Sequence, residues 1–247
     1  MVDKLRKIIF LLKIKLREKK YRNILPYLYF KSNSDTLLIV FPAFGGNKRR
    51  YNYLKAFSDY PIDKLYILDV FAYKGSYFLY EDGTEKPRLI TEALIGDILS
   101  KKKYKTIITA GTSKGGTCAI YFGLKFGAKE IFSGACQYNL GTYLHRPDNE
   151  KIFKSMMGIN AGEEEMEKLQ NVMPSILEKH RGCTTKIHIL YSTEELTYQR
   201  QIVDLLAKLK ECNMNYIEKV ETFTKHNDVG KYFIPYITKV LFGESRL

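Results

Sequence analysis

Ile107-Ile108-Thr109-Ala110-Gly111-Thr112-Ser113-Lys114-Gly115-Gly116-Thr117-Cys118-Ala119-Ile120-Tyr121 is the stretch on which the reading of this chain turns. A β-branched, apolar run enters a Gly-x-Ser-x-Gly turn, and small and apolar residues follow at helical spacing, which reads as strand, sharp turn, helix. In such a turn the serine occupies a strained backbone position. Its hydroxyl stands at the top of the sheet, and the N–H of the next residue faces the same space. Gly111 and Gly115 fall where a side chain would collide with the neighbouring strand or helix. Ser113 is therefore the candidate nucleophile; the alternative is a structural serine in a glycine-rich turn.

Working outward, Thr36 to Phe41 is a continuous apolar run of the kind found in a strand buried on both faces. It empties into Pro42-Ala43-Phe44-Gly45-Gly46-Asn47, a small-residue loop that can bring bare backbone to a substrate, unless its glycines merely turn the chain. The N–H groups of Phe44 and Lys114 are the candidate oxyanion donors. Lys48, Arg49 and Arg50 follow directly, either as anion contacts at the rim of a site or as the exposed start of a helix. Leu65 to Val70 reads as a second buried strand, and Asp69 with Tyr73 to Tyr80 as a connection that can wall a cleft. Thr91 to Leu99 has helical periodicity and is closed by Lys101, Lys102 and Lys103 at the negative end of the helix dipole.

Beyond the serine turn, a helix runs through Phe126 and a short strand covers Glu130 to Ser133. Residues 137 to 181 break the rhythm with polar helical patches and read as a helical cap insertion over the site. The strand pattern resumes at Lys186 to Tyr191 and runs into Ser192-Thr193-Glu194-Glu195-Leu196-Thr197; a helix over 201–210, a last strand over 216–220 and a final helix from about 230 to 241 complete the chain. Apolar strands separated by helical patterns predict an α/β fold, with a mostly parallel central sheet and helices on both faces.

Lys+Arg total 40 against 27 Asp+Glu, a formal charge of +13, which favours anionic partners. The basic residues are dispersed and no nucleic-acid motif accompanies them, so nucleic acid is not an expected partner. The four cysteines show no metal-ligand spacing and fit a reduced, cytoplasmic setting. Lys4 to Arg22 alternates basic and aliphatic side chains at spacings of three and four. This predicts a basic amphipathic helix over residues 1–25 that can lie on an anionic membrane surface or dock to a partner, ahead of a single domain over 26–247. Its apolar core, Ile8 to Leu12, is too short to span a bilayer.

A serine hydroxyl becomes a nucleophile at neutral pH when an imidazole takes its proton and a carboxylate orients that imidazole. Ser113 follows one strand, the pair Glu194 and Glu195 follows a later one, and His226 follows the last. His188 falls inside a strand, His145 in the cap and His180 at a helix end, which leaves His226 as the candidate base. Glu195 is the favoured acid, Glu194 its rival, and Asp228 is too close to His226 in sequence to reach it easily. Nucleophile, acid and histidine in that order, each in a loop after a strand, is the order of the α/β-hydrolase fold.

Gly111 to Gly116, the loop Tyr73-Lys74-Gly75-Ser76-Tyr77, Tyr191 to Glu195 and Lys225-His226-Asn227 resemble bacterial surface-polysaccharide O-acetyltransferases built on the α/β-hydrolase fold, the capsule enzymes above all. The likeness spans about Thr36 to Leu241. Pro42-Ala43-Phe44 stands where many hydrolases have His-Gly, and Glu where Asp is commoner. The resemblance implies acetyl transfer from acetyl-CoA, as substrate and not as a bound cofactor, to sugar hydroxyls of an anionic capsular polysaccharide. It also implies an acetyl-Ser113 intermediate and a place in the cytoplasm or at the inner face of the membrane. The competing classes are a serine esterase or thioesterase of the same fold, and a non-catalytic module that binds an anionic polymer.

Overall fold

The apolar runs of the sequence lie side by side in one eight-stranded sheet. The computed structural model describes residues 14–45 and 49–243. Its strands are β1 (Lys19–Tyr21), β2 (Leu25–Phe30), β3 (Thr36–Val40), β4 (Asp63–Ile67), β5 (Thr106–Thr112), β6 (Glu130–Gly134), β7 (Lys186–Ser192) and β8 (Asn215–Glu221). They stand in the order β1-β2-β4-β3-β5-β6-β7-β8. β2 is antiparallel to both neighbours, and every pairing from β4 to β8 is parallel.

The helices are α1 (Lys86–Lys101), α2 (Lys114–Lys125), α3 (Leu140–Leu144), α4 (Glu150–Met157), α5 (Glu163–Gln170), α6 (Val172–Lys179), α7 (Val203–Glu211) and α8 (Val229–Phe242). Because side chains alternate along a strand, each β-run feeds two cores. Ile39, Leu65, Ile131 and Ile187 pack on one face with Ile95, Phe122 and Leu205 from the helices. Leu38, Tyr66, Ala110 and Phe132 pack on the other with Phe233 and Ile237 of α8. Parallel strands end at one edge, so the loops after β3, β5, β6, β7 and β8 all emerge there.

The amphipathic pattern read over residues 4–22 is only partly helical among the described residues. Residues 14–17 are helical, residues 4–13 lie outside the description, and Lys19–Tyr21 is a strand. It pairs with Leu25–Tyr27 across a turn in which Arg22 and Asn23 have φ of 48° and 61°, closed by Ile24 N–H donating to Tyr21 O at 3.0 Å. That tight turn matches the right-handed twist of a hairpin and outcompetes the helical spacing, so the sheet begins at residue 19 and not after residue 25. Four short helices occupy the predicted cap segment, and α6 packs on α2 and α7, in the layer that covers the sheet.

β4 begins two residues before the predicted strand because Asp63 is anchored there. Its buried carboxylate accepts from Ser32 N–H (2.7 Å), Tyr104 Oη (2.6 Å) and Lys102 Nζ (3.0 Å). Burial pushes the Asp63 pKa up, but the hydrogen bonds from Tyr104, Ser32 and Lys102 outweigh it and hold the group at about 2. The folded-state value lies below the unfolded one, so this carboxylate stabilises the fold above about pH 4 and the contribution is lost as the pH falls toward 2. Asp63→Asn should cost about 1–3 kcal/mol, or roughly 2–4 °C of Tm per kcal/mol. Melting curves from pH 7 to pH 2 should show the gap between wild type and variant closing in acid.

Candidate active site

Ser113 has φ 53° and ψ −126°, a left-handed conformation that a non-glycine residue adopts only when its surroundings enforce it. The enforcement is steric and hydrogen-bonded. A Cβ on Gly111 would come within 2.3 Å of the Gly115 backbone, and one on Gly115 within 2.4 Å of Phe41 O. Ser113 N–H donates to Gly134 O at 2.7 Å, and Ser113 O accepts from the Gly116 and Thr117 amides that start α2. The close approach of β5, α2 and the end of β3 thus rotates the serine out over the strand ends. Lys114 is the first residue of α2, so its N–H has no intrahelical acceptor and carries the positive end of the helix dipole.

Glu195 and His226 meet at the same edge. Glu195 Oε1 lies 3.5 Å from His226 Nδ1, and Thr197 Oγ1 bridges them, donating to Glu195 Oε1 at 2.8 Å and lying 3.2 Å from His226 Nδ1. A hydroxyl has one proton, so once it is given to Glu195 the Thr197 oxygen is left to accept from Nδ1–H, and His226 Nε2 keeps its lone pair. Burial raises the Glu195 carboxyl pKa, and the hydrogen bonds from His226 and Thr197 bring it below its ordinary value overall. Glu194 is exposed, and among the described residues only its backbone N–H is engaged, donating to Ser192 Oγ at 3.2 Å. Asp228 pairs with Lys231 at 2.7 Å. His188 is stacked on Phe132 and hydrogen-bonded to Tyr236 and Glu130, a core histidine.

The Ser113 hydroxyl accepts a hydrogen bond from Gln137 Nε2 at 3.1 Å, and among the described residues none joins it to His226. Gln137 is buried in the loop after β6 and fixed at both ends. Its backbone O accepts from Thr117 Oγ1 and its N–H donates to the same oxygen (2.7 and 3.0 Å), while Tyr77 Oη donates to Oε1 at 3.4 Å. With Ser113 Oγ accepting from Gln137, the serine proton is left free for a base.

Lys114 and Asp69 form a second buried unit beside the serine, Nζ to Oδ2 at 2.7 Å with side chains 1% and 2% exposed. Asp69 Oδ2 also accepts from Ser76 N–H at 2.8 Å, and the ammonium faces the rings of Phe78 and Phe44 at 5.1 and 5.7 Å. This ties the 73–80 loop to the serine turn and takes the Lys114 charge away from the anion-binding role its position allows. Sequence reading missed Gln137 and Thr197 as site residues, and placed Asp69 only in a cleft wall. Their place in the loops that follow β4, β6 and β7 was the available signal.

Phe44 stands on Tyr77 edge to face at 5.5 Å, and its loop is held by Ala43 N–H donating to Asn52 Oδ1 at 3.2 Å. Arg49 is exposed and donates to Ala72 O at 2.7 Å, and Arg50 is exposed. Lys48, Gly46 and Asn47 lie outside the described residues. No regular helix follows Arg50; residues 53–59 form turns.

Removing the Gln137 amide forfeits one hydrogen bond to the serine, worth about 1–1.5 kcal/mol. Gln137→Leu should therefore lower kcat about tenfold with KM little changed. Gln137→Glu, which presents an acceptor and draws the serine proton the wrong way, should do worse. Steady-state kinetics of both variants read this out.

Sheet order, strained serine turn and the Glu195–His226 pair at the strand ends define an α/β-hydrolase fold. No protein-family model matches the sequence, and no curated protein does. Among solved structures, the chain is similar over 90% of its length to the capsule O-acetyltransferase of Neisseria meningitidis serogroup A, covering 92% of that chain at TM-score 0.76 and 21% identity. A mutant of that enzyme in complex with CoA gives TM-score 0.72 and 20% identity over 90% of this chain and 93% of that one. A fluorophosphonate-binding serine hydrolase of Staphylococcus aureus, substrate bound, gives TM-score 0.60 and 12% identity over 87% and 90%.

Proposed function

We propose that this protein is a serine-dependent O-acetyltransferase that moves acetyl from acetyl-CoA to sugar hydroxyls of an anionic capsular polysaccharide. The observation that carries the reading is the Glu195–Thr197–His226 arrangement at the strand edge that also bears the strained Ser113. The structural likeness to a capsule O-acetyltransferase crystallised with CoA supports the donor.

In this mechanism His226 Nε2 takes the Ser113 proton as Oγ attacks the thioester carbonyl, with Glu195 supporting the imidazolium. The N–H groups of Phe44 and Lys114 hold the oxyanion. The intermediate collapses, the C–S bond breaks, and His226 returns its proton to the CoA sulfur. A sugar hydroxyl then attacks the acetyl-serine, giving its proton to His226, which hands it back to Ser113 as the ester bond to the enzyme breaks. Arg49 and Arg50, together with Lys48, are the proposed contacts for phosphate or another anionic group of donor or acceptor. Among the described residues no helix is long and apolar enough to cross a membrane; the proposed setting is the cytoplasm or the inner membrane surface.

The hydrolase neighbours favour a second reading, an esterase or thioesterase in which water replaces the sugar. Incubation with acetyl-CoA with and without an anionic capsular oligosaccharide separates the two. The transferase reading requires oligosaccharide-dependent CoA release and an acetylated oligosaccharide; CoA release indifferent to the sugar supports the hydrolase.

A further inference from the structure

We propose that the sheet edge opposite Ser113 carries a site for one anionic phospholipid of a bilayer. A cavity of about 470 Å³ opens there, walled by Ile14, Phe30, Leu54, Pro61, Ile62 and Tyr66. Phe30 pairs with Lys64 at the start of β4, which places the cavity at the N-terminal ends of the parallel strands, away from the loops that bear Ser113, Glu195 and His226.

Three observations select the occupant. Tyr66 is 1% exposed, and its hydroxyl has no hydrogen-bond partner among the described residues. That hydroxyl is closed to solvent, so Tyr66 adds aromatic carbon to the wall, its ring edge to face on Phe30 at 5.9 Å. Arg17, Lys31 and Lys64 line the same cavity against a single acid, Asp59. Arg17 and Lys31 are exposed and lie against the rings of Phe30 and Tyr29 at 5.6 and 5.8 Å, with no ion pair to any described acid, while Lys64 is buried and its Nζ donates to Tyr60 O. The third observation is Leu16, 86% exposed between Lys15 and Arg17 in the helical turn that leads into the cavity.

Apolar walls with cations at the rim suit an anionic amphiphile. A free phosphate would leave the walls unused, and a sugar polymer has no chain to place between Phe30 and Ile62. A bilayer presents that amphiphile in the required orientation, with phosphates level with Arg17 and Lys31 and the exposed Leu16 entering the acyl boundary.

The test is flotation of the full-length protein with phosphatidylcholine vesicles, with or without phosphatidylglycerol, and native mass spectrometry of the vesicle-exposed protein. The wild type should bind the anionic vesicles at least about tenfold more tightly than the neutral ones and retain the mass of one phospholipid. Leu54→Trp, which fills the cavity at a half-buried position without changing charge, should weaken vesicle binding about tenfold and lose the retained lipid. The double variant Arg17→Gln, Lys31→Gln, confined to the surface, should do likewise, with Tm showing that each variant is folded. Equal binding to both vesicle types overturns the proposal. So does a folded Leu54→Trp that binds as the wild type does, since charge alone would then explain the association. A change of oligomeric state in Leu54→Trp with vesicle binding intact makes the face an interface between copies and equally overturns it.

Discussion

Ser113→Ala should lower the proposed acetyl transfer from acetyl-CoA by at least about 10⁴-fold, the scale on which removal of a triad nucleophile acts when binding and oxyanion donors are left in place. The loss falls on kcat, since the hydroxyl contributes little to binding the thioester and everything to the covalent step. The matching positive result is direct. Acetyl-CoA-treated wild type, quenched in acid, should carry the mass of one acetyl group on the peptide containing Ser113, and the variant none. Alanine keeps the Cβ and with it the φ strain of this position, so stability should change little, and a Tm that does not fall beside a vanished activity separates chemistry from folding. Undiminished acetyl transfer by the variant would end the proposed mechanism.

The second large effect discriminates between the two adjacent glutamates. Glu195→Gln costs about 10³–10⁴-fold in kcat, whereas Glu194→Gln stays within about twofold, as expected for an exposed side chain. The physical reason is proton direction. Glu195 is acceptor-only, so it draws the Thr197 hydroxyl proton and, through that oxygen or directly, the His226 Nδ1 proton. A glutamine amide offers N–H to the same partners, which favours the tautomer with the proton on Nε2 and leaves the ring unable to accept from a serine. Because its carboxyl is held below the ordinary range, Glu195 stays ionised while exposed carboxylates titrate, and its support of His226 is lost only in more acidic solution. Equal effects of the two substitutions, or a larger one at Glu194, would reassign the acid.

Much of this was legible in one dimension because it is local. Ile107 to Tyr121 encodes strand, turn and helix through side-chain size alone: β-branched residues before the turn, and glycines where β5, α2 and the end of β3 touch. The later strands announce themselves as apolar runs because a parallel sheet covered by helices is buried on both faces. The hairpin of β1 and β2 was not legible, since alternating lysines and aliphatics satisfy helical and extended spacing alike and the decision fell to the turn at Arg22 and Asn23. Asp63 at the head of β4 is likewise chosen by Tyr104, Lys102 and Ser32, which are distant in sequence.

By itself the sequence determined the fold class, the candidate nucleophile and the order of the candidate groups, because each depends on residues within a few positions of one another. Only the tertiary structure decided which glutamate lies against His226, which amide holds the Ser113 hydroxyl, and that Lys114 is spent on Asp69 and not on a ligand. Those are contacts between loops separated by up to tens of residues, and their geometry is set by where parallel strands end, a quantity no local pattern contains.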